Sequence, residues 1–133
     1  MANNEKAIKI LLIDDEKSFC DIFSFVLKRE GFDIKYFTDP KEALLNIVSE
    51  KPDLILLDIA MPIINGFSIL SQLKKDLKEK QPKIVFLTNL KYSADGSLID
   101  ETYAKSLGAD GIIHKTEDMD KVIEKIKEFL KNE

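Results

Sequence analysis

Hydrophobic and polar positions along this chain follow two alternating rhythms. Residues 8–13 are an unbroken apolar run apart from Lys9, the composition of a strand buried on both faces. Phe19, Ile22, Phe23, Val26 and Leu27 then recur three and four apart, which is one face of a helix, and Gly31 is placed to stop it. A short second strand follows at 34–37. Asp39-Pro40-Lys41-Glu42 reads as a helix start, with a capping carboxylate, a proline suited to the first turn and a capping-box-like glutamate. Ala43, Leu44, Ile47 and Val48 supply that helix's apolar stripe. Residues 54–57 are the most continuous apolar run and the best candidate for the central strand. Met61-Pro62 and Asn65-Gly66 mark a loop, and Ile69, Leu70, Leu73 and Leu77 stripe a third helix. A fourth strand is predicted at 84–87, a fourth helix near 98–107 ended by Gly108, and a fifth strand at 111–114. A terminal helix carries Met119, Val122, Ile123, Ile126, Phe129 and Leu130.

Five strands alternating with five amphipathic helices predict an α/β protein with a parallel sheet covered on both faces. Right-handed crossovers and an open sheet make it doubly wound. No internal repeat, low-complexity tract or linker interrupts the pattern, so residues 1–133 are expected to form one domain.

Composition narrows the class. The formal net charge is −4 and 33% of residues are charged, which argues against a nucleic-acid surface, because phosphate binding leans on a basic stripe. No apolar run approaches the length of a membrane helix, and the first residues lack a secretory core. Cys20 is the single cysteine and has no internal disulfide partner; its place among apolar positions marks it as small core filler. A soluble, cytoplasmic protein is the expectation. The mixed charges from Lys121 to Glu133 read as a solvated helix face.

Five polar positions fall at or just past the predicted strand ends: Asp14 and Asp15, Asp58, Thr88 and Lys115. In a parallel sheet all five emerge at one edge, where open α/β sheets bind ligands. Two carboxylates about 4 Å apart repel by roughly 4 kcal/mol at an effective dielectric near 20, so Asp14, Asp15 and Asp58 need a counter-charge. A hard divalent cation such as Mg²⁺, held by a few carboxylates, supplies it, and Lys115 adds a point charge. Asp58 can act as a nucleophile that carries a phosphoryl group, with positive charge stabilising the phosphoryl oxygens and the Thr88 hydroxyl donating to one of them. Taken singly, the Asp pair could merely start a helix, Thr88 could be a turn residue and Lys115 a solvated charge. His114, the only histidine, reads as a structural or exposed strand residue, because no second ligand lies near it in sequence.

These residues in this order, with Met61-Pro62 and Gly66 after Asp58, resemble the receiver domains of two-component response regulators over nearly the whole chain. The resemblance implies the flavodoxin-like (βα)5 fold with strand order 2-1-3-4-5. It implies that Asp58 is the phosphoacceptor, Asp15 a direct Mg²⁺ ligand with Asp14 assisting through water, and the Ala60 backbone carbonyl a further ligand. Thr88 and Lys115 would read the phosphorylated state. The phosphoryl donor would be a histidine kinase or histidine phosphotransfer protein, and the output a change in binding to a downstream protein through a local charge event that biases a two-state element. A regulatory phosphoacceptor rather than an enzyme is expected, without an output domain of its own after the fifth helix.

The chain departs from the family between Thr88 and Lys115. The stretch is longer than usual, and the extra length is placed at 89–97, where Ser93-Ala94-Asp95-Gly96 reads as a turn within a long, mobile loop that alters partner choice. Ile112 stands where the family usually has an aromatic residue. Thr116 replaces the usual proline after Lys115, leaving either a trans peptide with a changed loop or a cis peptide costing about 3–4 kcal/mol. Ala60 and Leu90 occupy positions that influence water access to the phosphoryl group. Three other functions compete. A haloacid-dehalogenase-type phosphohydrolase would place a second Asp two residues after Asp14, where Glu16 stands. A flavin carrier would need a Ser/Thr/Gly-rich phosphate loop after the first strand. A degenerate receiver would serve only as a protein-binding scaffold.

Overall fold

The structure is a computed structural model that describes residues 7–60, 66–77 and 82–131. The strands are β1 (Lys9–Ile13), β2 (Asp33–Phe37), β3 (Leu54–Leu57), β4 (Lys83–Thr88) and β5 (Gly111–His114), and the helices are α1 (Lys17–Arg29), α2 (Pro40–Glu50), α3 (Gly66–Leu77), α4 (Glu101–Ser106) and α5 (Met119–Lys131). The strands form one parallel sheet in the order β2-β1-β3-β4-β5, a doubly wound, flavodoxin-like α/β architecture.

Each apolar run splits its side chains between two cores, because successive residues of a strand face opposite sides. Ile10, Leu12, Leu54, Leu56, Val85, Leu87 and Ile113 pack with Phe23 and Leu27 of α1 and Val122, Ile123 and Ile126 of α5. Leu11, Ile13, Ile55, Leu57, Ile84 and Phe86 pack on the other face with Ala43 and Ile47 of α2, Ile69, Leu70 and Leu73 of α3, and Ala104 of α4. Double-sided burial is why these runs show no alternation.

The helix signals act at the expected residues. Asp39 accepts the Lys41 N–H (3.0 Å) at the start of α2, and Pro40 occupies the first turn. Gly31 adopts φ +95° after α1, where its N–H bonds Lys28 O and the Phe32 N–H bonds Leu27 O, a Schellman stop. Gly108, at φ +104°, repeats the arrangement after α4. Gly111 has a packing reason: a Cβ there would lie 2.3 Å from Phe129 Cζ.

Three details differ from the pattern. Ile22 and Val48 are 63% and 61% exposed, because each lies at the flank of its helix's buried stripe. The fourth helix is six residues long, not ten, because Asp100 caps it by accepting the Tyr103 N–H, while Leu98 and Ile99 belong to the preceding segment. The segment that joins β4 to α4 is built rather than open. Tyr92 pairs with Leu98 in an antiparallel bridge, Ile99 N–H bonds Lys91 O and Ser93 N–H bonds Ser97 O. The peptide bonds of the described residues are trans, including Lys115–Thr116. The predicted loop at Met61-Pro62 and Asn65 lies outside the described residues.

Candidate functional site

The parallel register sets Asp14 and Asp58 side by side. Ile13 pairs with Leu57, and one residue later the Asp58 N–H bonds Ile13 O (3.0 Å) while the Asp14 N–H bonds Phe37 O (3.1 Å). Thr88 pairs with His114, and the Lys115 N–H extends the ladder by bonding Thr88 O (2.9 Å). Asp14, Asp58, Thr88 and Lys115 therefore stand together at the carboxyl edge of the sheet.

Local turns orient the side chains. Asp14 Oδ1 accepts the Glu16 N–H (2.9 Å) and Asp58 Oδ1 accepts the Ala60 N–H (3.0 Å). Each turn occupies one carboxylate oxygen and leaves Oδ2 of the same residue for Lys115. The Lys115 Nζ lies 2.5 Å from Asp14 Oδ2, 3.0 Å from Glu16 Oε1 and 3.4 Å from Asp58 Oδ2, and 4.4 Å from the centre of the Phe19 ring, a cation–π distance. Asp14 is fully buried, Asp58 is 3% exposed and the Lys115 side chain 5%.

Electrostatics follow from this burial. Desolvation pushes the Asp14 carboxyl above its ordinary value, and the bonds from Lys115 and the Glu16 N–H offset only part of it. Burial alone would lower the Lys115 ammonium; the close contact with Asp14, the charges of Asp58 and Asp14 and the bond to Glu16 outweigh it, so its pKa is raised. Asp14 Oδ2 is close to Lys115 yet has no aligned hydrogen bond. The ammonium at 2.5 Å compensates that oxygen by charge, but it serves three carboxylates at once. Asp14, Glu16 and Asp58 offer oxygens within 4.8 Å of one another, the one such acidic group among the described residues. Hard oxygens around a buried carboxylate suit a divalent cation such as Mg²⁺.

The surroundings of the other candidate residues vary. Asp15 is exposed and stands outside the group of three. Thr88 is fully buried, and its hydroxyl oxygen accepts the Leu90 N–H (3.1 Å). Ala60 is exposed on the lip of the site. Ile112 is half-buried against the α2–α4 core. His114 is half-buried, and its N–H bonds Glu117, which also takes the Lys125 ammonium at 2.7 and 2.8 Å. Cys20 is buried with its thiol on Asp14 O (3.3 Å), and burial pushes that thiol up to about 12. Sequence reasoning missed Glu16 as a partner of Lys115. Its position two residues after Asp14 was the available signal, since an i→i+2 turn folds the following side chain back toward the edge.

Comparison with known proteins agrees with the geometry. The model of the response regulator receiver domain matches residues 10–127. A CheY-like response regulator receiver domain protein from Methanospirillum hungatei is 28% identical, with a TM-score of 0.78 and 95% of each chain covered. The BeF3-activated N-terminal receiver domain of RstA from Klebsiella pneumoniae is 25% identical, with a TM-score of 0.79, over 93% of this chain and 99% of that one. The chemotaxis protein CheY4 of Vibrio cholerae is 22% identical and shares the fold at a TM-score of 0.80, over 93% of this chain and 99% of that one. A match running from β1 into α5, on a sheet of the same strand order, establishes that this chain belongs to the family of response regulator receiver domains.

Proposed function

We propose that Asp58 accepts a phosphoryl group from a histidine kinase or histidine phosphotransfer protein, in a Mg²⁺-dependent reaction, and that the modified protein switches its binding to a downstream protein. The observation that carries this reading is Asp58 itself. It is a nearly buried carboxylate with Oδ1 fixed by the Ala60 N–H and Oδ2 3.4 Å from Lys115 Nζ. The held oxygen aims the other, which is the nucleophile. Oδ2 forms the new bond to phosphorus as the bond to the donor breaks, and the donor's leaving group keeps that electron pair. Lys115 meets the charge on the phosphoryl oxygens from its place between the carboxylates. The Thr88 hydroxyl, which accepts from Leu90, still has its own proton to donate to a phosphoryl oxygen.

The carboxylates of Asp14, Asp15 and Asp58 and the Ala60 carbonyl would hold Mg²⁺, which when bound supplies positive charge opposite the acidic cluster and the phosphoryl oxygens. The protein's role on this reading is regulatory phosphoacceptance in the cytoplasm, with the readout in the segment from Asn89 to Thr116. No helix among the described residues is long and apolar enough to cross a membrane.

The test is incubation with Mg²⁺ and acetyl phosphate, read by intact mass. One added phosphoryl group is expected on the wild type and none on Asp58→Asn or in the presence of a chelator. An unmodified wild type under small donors and purified histidine kinases alike would favour a protein-binding scaffold instead.

A further inference from the structure

Glu16 occupies the N-cap position of α1 with an extended backbone (φ −88°, ψ 96°), yet its side chain makes no cap hydrogen bond. Side-chain oxygens at that position ordinarily accept a helix N–H. The Glu16 carboxylate instead reaches the ammonium of Lys115, on the far side of the sheet edge, at 3.0 Å. Its oxygen also lies within 4.8 Å of oxygens of Asp14 and Asp58. Three carboxylates thus face a single ammonium, and Asp58 is the most distant of the three at 3.4 Å. One ammonium cannot neutralise three carboxylates, so the cluster keeps an excess of negative charge.

We infer that Glu16 is a positioning residue that acts through Lys115. Its carboxylate shares the ammonium with Asp58, holding the Lys115–Asp58 contact at 3.4 Å, and it adds to the negative field that favours a divalent cation. The inference deepens the phosphoacceptor reading and rests on it for the role of Asp58. Removing the Glu16 charge lets Lys115 close on Asp58 and takes one carboxylate from the field at the cation. For a divalent cation about 5 Å from an exposed carboxylate in a water-like dielectric, with salt screening, the loss corresponds to about a fivefold fall in affinity.

The experiment compares Glu16→Gln and Glu16→Ala with Glu42→Gln, which removes the same charge from an exposed position on α2. Mg²⁺ alone is titrated calorimetrically into each unphosphorylated protein, and the lysine side-chain resonances are followed by ¹⁵N NMR. Both Glu16 variants are expected to bind Mg²⁺ about fivefold more weakly, with a gap that narrows as salt is raised. The Lys115 resonance should move in both, and Glu42→Gln should match the wild type in both measurements. Glu16 variants that bind Mg²⁺ as Glu42→Gln does, or that leave the Lys115 resonance in place, would overturn the inference. Neither readout requires phosphorylation. A protein that shows both effects but takes no phosphoryl group would sink the proposed function while leaving the Glu16–Lys115 coupling standing.

Discussion

At Asp14, Asp58 and Thr88 a side-chain oxygen at a strand end accepts the N–H two residues on. The turns are compatible with the proposed chemistry, because at Asp14 and Asp58 the turn occupies one carboxylate oxygen and aims the other. Asn can make the same turn through its amide oxygen and cannot form an acyl phosphate. Asp58→Asn should therefore unfold within about 0.5 kcal/mol of the wild type while taking no phosphoryl group. Asp58→Ala loses the turn as well and should cost about 1 kcal/mol more. Urea denaturation with intact-mass analysis separates the two, and equal stability of both variants would show that the turn contributes nothing. The same local device explains what the residues concealed. Asp15 and Glu16 are adjacent acids with similar chemistry, and only the i→i+2 turn at Asp14 separates them. That turn sends Glu16 to Lys115 and leaves Asp15 exposed.

At the scale of elements, strand positions were legible because apolar runs such as Leu54–Leu57 are buried on both faces and no other element of that length needs four consecutive apolar residues. The segment between β4 and α4 was less legible. Leu98 and Leu107 fit a helical stripe, but Leu98 is 53% exposed and pairs with Tyr92, and only Ile99 is buried. A bridge between residues this close in sequence depends on turn chemistry more than on apolar period. Here Asp95 accepts from the Ser93 hydroxyl and the Ser97 N–H. Those bonds hold its carboxyl down to about 2, so the turn should persist from neutral pH to well below the ordinary aspartate range. Gly96 sits at φ +89° with open space around it, so Gly96→Ala meets strain and no clash, at about 1 kcal/mol. The Ile99 N–H, bonded to Lys91 O, should exchange about fivefold faster, and the unfolding free energy should fall by the same ~1 kcal/mol. Unchanged exchange at Ile99 would mean that the hairpin is held by something other than its turn.

For the whole molecule, the site opposes the fold that holds it. Two cores bury all of β3 and most of β1 and β4, and Asp14 is carried into that packing fully buried with its pKa raised, chiefly by desolvation. A carboxyl whose pKa is higher folded than unfolded favours the folded state at low pH. As pH rises through the unfolded value, near 3.8, the unfolded chain releases its proton first. The stability contribution is then lost progressively until the folded value is passed. Asp14→Asn removes that dependence and one of three carboxylates around Lys115, which keeps Glu16 and Asp58 as partners. Without Mg²⁺, the variant should gain on the wild type as pH is raised from about 4 toward neutrality. Added Mg²⁺ should reverse the order, since a cation that binds only the folded wild type stabilises it by mass action, about 2.7 kcal/mol at a hundredfold excess over its Kd. Urea denaturation of both proteins across that pH range, with Mg²⁺ and with a chelator, measures all four limits. A wild type more stable than Asp14→Asn in chelator at neutral pH would show that the Asp14–Lys115 pair outweighs the desolvation of Asp14. The acidic edge would then be a structural asset instead of a strain that cation binding relieves.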